Sequence, residues 1–121
     1  METLIIDTNI VIYCLKGIQA MEPYIQDYDF SIADISLIEL FGVKGIDEHT
    51  LQKRKKFIKT CFVLPFNNEI REIAISLKQD YTIKVPDAII AATAIHYGHI
   101  LLTADKEFRK IAELSAIIPE I

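Results

Sequence analysis

The chain has 121 residues, of which 51% are hydrophobic and 25% are charged, so we expect one domain over residues 1–121 with no length for a second. Its formal net charge of -4 excludes a chain that is basic throughout and binds nucleic acid by bulk charge, although a local basic surface is still compatible with it. The apolar runs are too short to cross a bilayer and no signal-peptide pattern is present, so we expect a cytoplasmic protein without a membrane partner.

Short apolar runs alternate with helical patterns along the chain. In chain order, the patterns predict strand 3–6, helix 9–16, short helix 18–26, strand 30–33, helix 35–43, exposed helix 48–60, strand 61–64, a helix whose apolar face spans 70–77, helix 86–97, strand 100–103, short helix 106–114 and strand 116–118. Strands that alternate with helices indicate an α/β fold. We therefore expect a three-layer α/β/α sandwich with a mainly parallel central sheet of about five strands.

Some boundaries and surfaces are left open by these patterns. Either Asn67 or Asn68 can cap the helix that follows. The basic run Lys53-Arg54-Lys55-Lys56 is typical of a solvated helix face, and contact with RNA phosphates is the alternative.

The first strand ends in three polar residues, Asp7, Thr8 and Asn9. Open α/β sheets bind their ligands beyond the carboxyl ends of the strands, so Asp7 is a candidate site residue. The alternative is that Asp7 or Thr8 caps the following helix. This stretch alone does not distinguish the two interpretations.

Three further acids lie at junctions between predicted elements: Glu39, Asp87 and Asp105. Each has a structural interpretation, because Glu39 can form a capping box with Ser36, Asp87 can complement a helix dipole, and Asp105 can cap the last helix. However, parallel strands end at one edge of the sheet, so these acids and Asp7 can converge there.

Converging carboxylates repel each other unless a cation lies between them. Oxygen ligands favour a hard divalent cation, Mg²⁺ or Mn²⁺, and the lack of a histidine or cysteine pattern argues against zinc. The hydroxyl and amide oxygens of Thr8, Asn9 and Thr103 can support such a site. One ion and two ions are both compatible with this pattern.

Four segments in this order resemble the PIN-domain family of metal-dependent ribonucleases, in particular the small VapC-like toxins of toxin–antitoxin pairs. The segments, which together extend over essentially the whole chain, are Ile5-Ile6-Asp7-Thr8-Asn9, Ile35-Ser36-Leu37-Ile38-Glu39-Leu40, Pro86-Asp87-Ala88-Ile89-Ile90-Ala91-Ala92 and Leu102-Thr103-Ala104-Asp105-Lys106-Glu107-Phe108. The resemblance implies that Asp7, Glu39, Asp87 and Asp105 are the metal-binding, catalytic acids. It implies supporting polar roles for Thr8, Asn9 and Thr103, and a position in the outer shell for Glu107.

The resemblance also implies a function: an Mg²⁺- or Mn²⁺-dependent endoribonuclease that hydrolyses RNA phosphodiester bonds, with a small antitoxin as partner and a homodimer as its assembly. We expect Asp7 and Asp105 to bind the metal directly, Asp87 to bind it directly or through water, and Glu39 to orient the attacking water. Candidate RNA contacts near the site are Lys84, Lys106, Arg109 and Lys110. The alternative function is a PIN fold that serves only as a non-catalytic RNA- or protein-binding module.

Overall fold

The computed structural model describes residues 2–121. Within them, five strands alternate with six α-helices. The strands are β1 (Thr3–Ile6), β2 (Asp29–Ala33), β3 (Phe62–Leu64), β4 (Ile100–Leu102) and β5 (Ala116–Ile117). The helices are α1 (Thr8–Leu15), α2 (Glu22–Asp27), α3 (Asp34–Phe41), α4 (Glu48–Ile58), α5 (Asn68–Asp80) and α6 (Val85–Tyr97), with 3-10 turns over Gln19–Met21 and Lys106–Lys110.

The five strands form one sheet in the order β3-β2-β1-β4-β5, and every neighbouring pair is parallel. β1 is central, with Leu4 opposite Phe30 of β2 on one side and Ile100 of β4 on the other. Since all strands run in the same direction, their carboxyl ends lie along one edge. The predicted parallel α/β sheet of five strands is confirmed.

The two faces of the sheet are covered by different helices. On one face, Ile5 and Leu101 pack in a buried cluster with residues of α5 and α6. On the other face, Leu4, Ile6 and Leu102 pack in a second cluster with residues of α1 and α4. Burial of each such side chain contributes roughly 1.5–3 kcal/mol relative to exposure. The clusters therefore fix β1 and β4 side by side, and α4 lies on the opposite face of the sheet from α5 and α6.

Capping residues set several helix boundaries. Asn67, rather than Asn68, caps α5, because its side-chain oxygen accepts a hydrogen bond from the Ile70 amide at 2.9 Å. Pro86 lies in the first turn of α6, where its missing N–H costs nothing, and Gly98 ends that helix with a φ of 69°. Most predicted boundaries differ from the observed ones by one or two residues.

The predicted helix over 106–114 is wrong in length and type. The segment forms only the 3-10 turn Lys106–Lys110, after which no helix is assigned before β5. Phe108 and Ile111 are both buried, and a spacing of three residues places two side chains on the same side of a 3-10 turn. The apolar spacing that predicted an α-helix is therefore satisfied by the tighter turn.

The helices within residues 2–121 are all too short or too polar to span a lipid bilayer.

Candidate active site

Asp7 lies between β1 and α1 and is only 6% exposed. One carboxylate oxygen accepts a hydrogen bond from the Ile10 amide at 3.0 Å and so caps α1. The other oxygen accepts a hydrogen bond from the hydroxyl of Thr103. Asp7 is therefore both a helix cap and a carboxylate at the carboxyl edge of the sheet, and the two interpretations of the sequence are compatible.

Thr103 connects Asp7 to Asp105. It is fully buried just beyond β4, which pairs with β1, so its hydroxyl reaches Asp7 on the neighbouring strand end. The same hydroxyl accepts a hydrogen bond from the Asp105 amide at 3.1 Å. The Asp105 carboxylate in turn accepts from the Glu107 amide at 2.9 Å and caps the 3-10 turn. One buried hydroxyl thus links two of the predicted acids.

Glu39 is held by a different threonine. The Thr8 hydroxyl, at the start of α1, donates a hydrogen bond to the Glu39 carboxylate at 2.7 Å. The alternative interpretation of Glu39, a capping box with Ser36, is wrong, because α3 begins at Asp34 and its cap residue makes no side-chain hydrogen bond. Ser36 is instead fully buried, and its hydroxyl has no partner among the described residues.

The acids influence one another electrostatically. Burial raises the pKa of Asp7, and the charges of Asp105 and Asp87 add to the rise, while hydrogen bonds from Thr103 and the Ile10 amide oppose it. Partial burial also raises the pKa of Asp87, and the charges of Asp105 and Glu39 raise it further. Each of the four predicted acids is therefore within electrostatic range of at least one of the others.

Asp87 and Asp105 line a cleft of about 680 Å³ between the α5–α6 connection and the 3-10 turn. Lys84 and Lys110 also line this cleft, whereas Lys106 and Arg109 are not among its lining residues. Glu107 lines it too, and its carboxylate is paired with the Lys110 ammonium at 3.0 Å. Two of the four predicted RNA contacts therefore lie beside the acids.

The remaining predicted residue, Asn9, is exposed on α1, and no side-chain hydrogen bond is found for it within residues 2–121. Lys78, which no sequence pattern singled out, lines the same cleft from α5. Asp34, which was not predicted as a site residue either, directly follows β2 and accepts a hydrogen bond from the Phe66 amide at 2.9 Å. A carboxylate directly after a strand is the pattern that singled out Asp7, so the same signal was available for Asp34.

The donor set fits a hard divalent cation, since every candidate ligand is a carboxylate or hydroxyl oxygen. No three Asp, Glu, His or Cys side chains of residues 2–121 are grouped as a preformed metal site. The oxygens of Asp7, Glu39 and Asp105 are directed instead to the hydroxyl and amide donors described above. A carboxylate has about four lone-pair positions, so each retains acceptor capacity beyond these bonds.

The fold and the acids together define a parallel α/β protein with a carboxylate-rich site at the carboxyl edge of its sheet. The family model described as "PIN domain" matches residues 4–114, and the chain belongs to the PIN domain family.

Individual relatives agree with this membership. The chain is 33% identical to "Ribonuclease VapC1" of Rickettsia felis and 34% identical to "Ribonuclease VapC" of Rickettsia bellii, with 94% of both chains covered in each comparison. Among solved structures, it is similar to a toxin–antitoxin complex from Klebsiella pneumoniae, with a TM-score of 0.82 and 28% identity over 97% of this chain and 98% of the other.

Proposed function

We propose that this chain is an endoribonuclease that acts as the toxin of a toxin–antitoxin pair and requires Mg²⁺ or Mn²⁺. Membership of the PIN domain family and the two relatives named as ribonucleases support the nuclease activity. The similarity to a structure described as a toxin–antitoxin complex supports the biological role.

The observation that carries the metal dependence is the buried carboxylate of Asp7 beside other acids. Burial disfavours its charge, and the charges of Asp87 and Asp105 disfavour it further. A divalent cation would offset this repulsion, and Asp7, Asp87 and Asp105 would hold it together with Glu39. Bound there, Mg²⁺ or Mn²⁺ supplies Lewis-acid chemistry that activates water and offsets negative charge on the phosphoryl group.

The protein groups around these acids have distinct tasks. The Ile10 amide and the Thr103 hydroxyl fix both oxygens of Asp7, so its carboxylate does not need to reorganise when RNA binds. The Thr8 hydroxyl holds the exposed carboxylate of Glu39, to which we assign the orientation of the attacking water. Asp105 is restrained by the amide of Glu107.

The proposed partner of the toxin is a small antitoxin protein, by analogy with the Klebsiella complex. The homodimer that the family resemblance implies stays a prediction, and light scattering of the purified chain measures it.

Cleavage of a short single-stranded RNA by the purified chain tests the function. We expect cleavage with Mg²⁺ or Mn²⁺, none with EDTA, and recovery when the metal is restored. Asp7→Asn is expected to lower the rate by about 10²-fold or more. A chain that binds RNA without cutting it under any of these conditions would be a non-catalytic PIN module, and the proposal would be wrong.

A further inference from the structure

The cleft beside the acids carries a second group of charges. Lys78 on α5, Lys84 in the α5–α6 connection and Lys110 in the 3-10 turn all line it. Asp87 and Asp105 line the same cleft, so it combines acids of the proposed site with three ammonium groups. The charges of Lys84 and Lys110 act on Asp87 in the direction opposite to its acidic neighbours, so both ammonium groups lie within electrostatic range of that carboxylate.

Two of these lysines are held in place by backbone carbonyl groups. The Lys78 ammonium donates a hydrogen bond to the Ile83 carbonyl at 2.6 Å. The Lys110 ammonium donates to the Thr82 carbonyl and to the Glu107 carboxylate. An ammonium group has three donors, so Lys78 retains two and Lys110 retains one. Groups that are already restrained lose less conformational entropy when they bind a ligand.

Lys84 is the third ammonium group and has no such restraint. It is exposed, and within residues 2–121 its side chain makes no ion pair within 4 Å and no hydrogen bond. It stands at the N-cap position of α6, three residues before Asp87. Its charge is therefore available to an anion in the cleft that Lys84 lines.

On the basis of the proposed function, we propose that this cleft binds the RNA strand on one side of the scissile bond, with Lys78, Lys84 and Lys110 contacting its phosphates. A chain of net charge -4 with four acids at its site repels RNA, so local cations are needed to bring the strand to the acids. The cleft provides three ammonium groups next to Asp87 and Asp105.

The basic run on α4 lies on a different face of the sheet from the helices beside the cleft. Lys53, Lys55 and Lys56 are exposed on α4, which packs on the opposite face of the sheet from α5 and α6. Arg54 of the same run has a structural role, because its guanidinium donates to the Leu40 carbonyl at 2.6 Å near the end of α3. The α4 lysines therefore provide matched control positions, because they carry the same charge as Lys84 and are also exposed.

RNA affinity measured against salt concentration tests this proposal. A fluorescently labelled single-stranded RNA is titrated with full-length Asp7→Asn protein, which is expected to bind without cutting, while cleavage by the native chain is measured in parallel. Adding Lys84→Gln is expected to weaken binding roughly threefold to tenfold and to reduce the slope of log Kd against log salt by about 0.7, the loss of one phosphate contact on a single strand.

Lys78→Gln is expected to weaken RNA binding and to reduce the slope of log Kd against log salt as well. Lys84→Arg keeps the charge, so we expect it to show the same slope as the Asp7→Asn parent. Lys55→Gln on α4 is expected to leave both affinity and slope unchanged. The proposal fails if the Lys78 and Lys84 variants bind RNA with the affinity of their parent, or if Lys55→Gln weakens binding by the same factor. Either result would show that the cleft does not bind the RNA strand, even if the native chain cleaves RNA. Absence of cleavage by the native chain refutes the proposed function instead.

Discussion

The charge of Asp7 opposes folding when no cation is bound. Its pKa is raised in the folded chain, chiefly by burial, so the folded state binds a proton more tightly than the unfolded state does. The stabilisation from this proton is fully present below the pKa of the unfolded chain and is lost as the pH rises through the folded pKa. Above the pKa of the unfolded chain, and so at pH 7, the raised pKa of Asp7 therefore lowers the free energy of unfolding.

Replacement of Asp7 by asparagine removes this charge and keeps an oxygen that can accept from the Ile10 amide. In EDTA at pH 7, we expect Asp7→Asn to unfold at a higher urea concentration than the native chain. The difference should shrink as the pH is lowered through the folded pKa of Asp7, where the native carboxyl becomes neutral. Urea unfolding curves at several pH values measure both effects.

The control for this prediction is Asp47, an exposed cap residue of α4 whose pKa has the opposite shift. Hydrogen bonds from the Thr50 amide and hydroxyl lower the pKa of Asp47, so its ionised form stabilises the fold, and that stabilisation is lost at low pH. Asp47→Asn should therefore lower the urea midpoint at pH 7. A lower midpoint for Asp7→Asn as well would show that its charge is compensated in the absence of metal.

Thr103 is expected to support catalysis through the acids that it connects. Thr103→Val keeps the shape of the side chain but leaves the Asp105 amide without its acceptor and one carboxylate oxygen of Asp7 without its donor. We expect the RNA cleavage rate to fall about 10- to 100-fold and the free energy of unfolding to fall by about 1–3 kcal/mol. Cleavage kinetics and urea unfolding of the same preparation measure these changes.

Thr93→Val provides the matched control for Thr103. Thr93 is also buried, but its hydroxyl donates to the Ile89 carbonyl within α6. We expect Thr93→Val to cleave RNA at the native rate. If both variants cleave equally well, Thr103 has no role beyond packing.

At the scale of the elements, local sequence signals predicted the order and type of nearly every strand and helix. The apolar run of β1 and the Pro86 and Gly98 boundaries of α6 depend on neighbouring residues, so they can be read from the chain itself. The 3-10 turn after β4 could not be predicted from neighbouring residues alone. Its form depends on Phe108 and Ile111 reaching a core built from distant segments.

The N-terminus of α5 offers a test of how a single cap contributes to an element. Asn67 accepts from the Ile70 amide and also forms a hydrogen bond with the His96 ring on α6 at 3.1 Å, whereas Asn68 is exposed. Asn67→Ala is expected to lower the free energy of unfolding by about 1 kcal/mol, and Asn68→Ala by much less. Urea unfolding of the two variants measures these changes. Equal losses of unfolding free energy in both variants would contradict the assignment of Asn67 as the cap.

At the scale of the whole molecule, the parallel sheet explains why acids distant in sequence were predicted as one site. Asp7 and Asp105 follow the ends of adjacent strands, and this placement follows from topology alone. The local amide donors to Asp7 and Asp105 follow from the capping roles that the sequence allows. The hydroxyl donors Thr8 and Thr103 were not predictable, because they bind carboxylates of distant segments. The link from Thr103 to Asp7 spans 96 residues of sequence. The cleft and Lys78 were missed for the same reason.

We propose that Asp7 and its neighbouring acids bind a divalent cation in the native fold. Isothermal titration of Mn²⁺ into the native chain, Asp7→Asn and Asp47→Asn at pH 7 tests it without requiring an RNA substrate. We expect saturable binding to the native chain and to Asp47→Asn, and binding at least about 10-fold weaker to Asp7→Asn, with circular dichroism showing all three folded. Equal Mn²⁺ affinity in the native chain and Asp7→Asn, or no binding to the native chain, would contradict the claim.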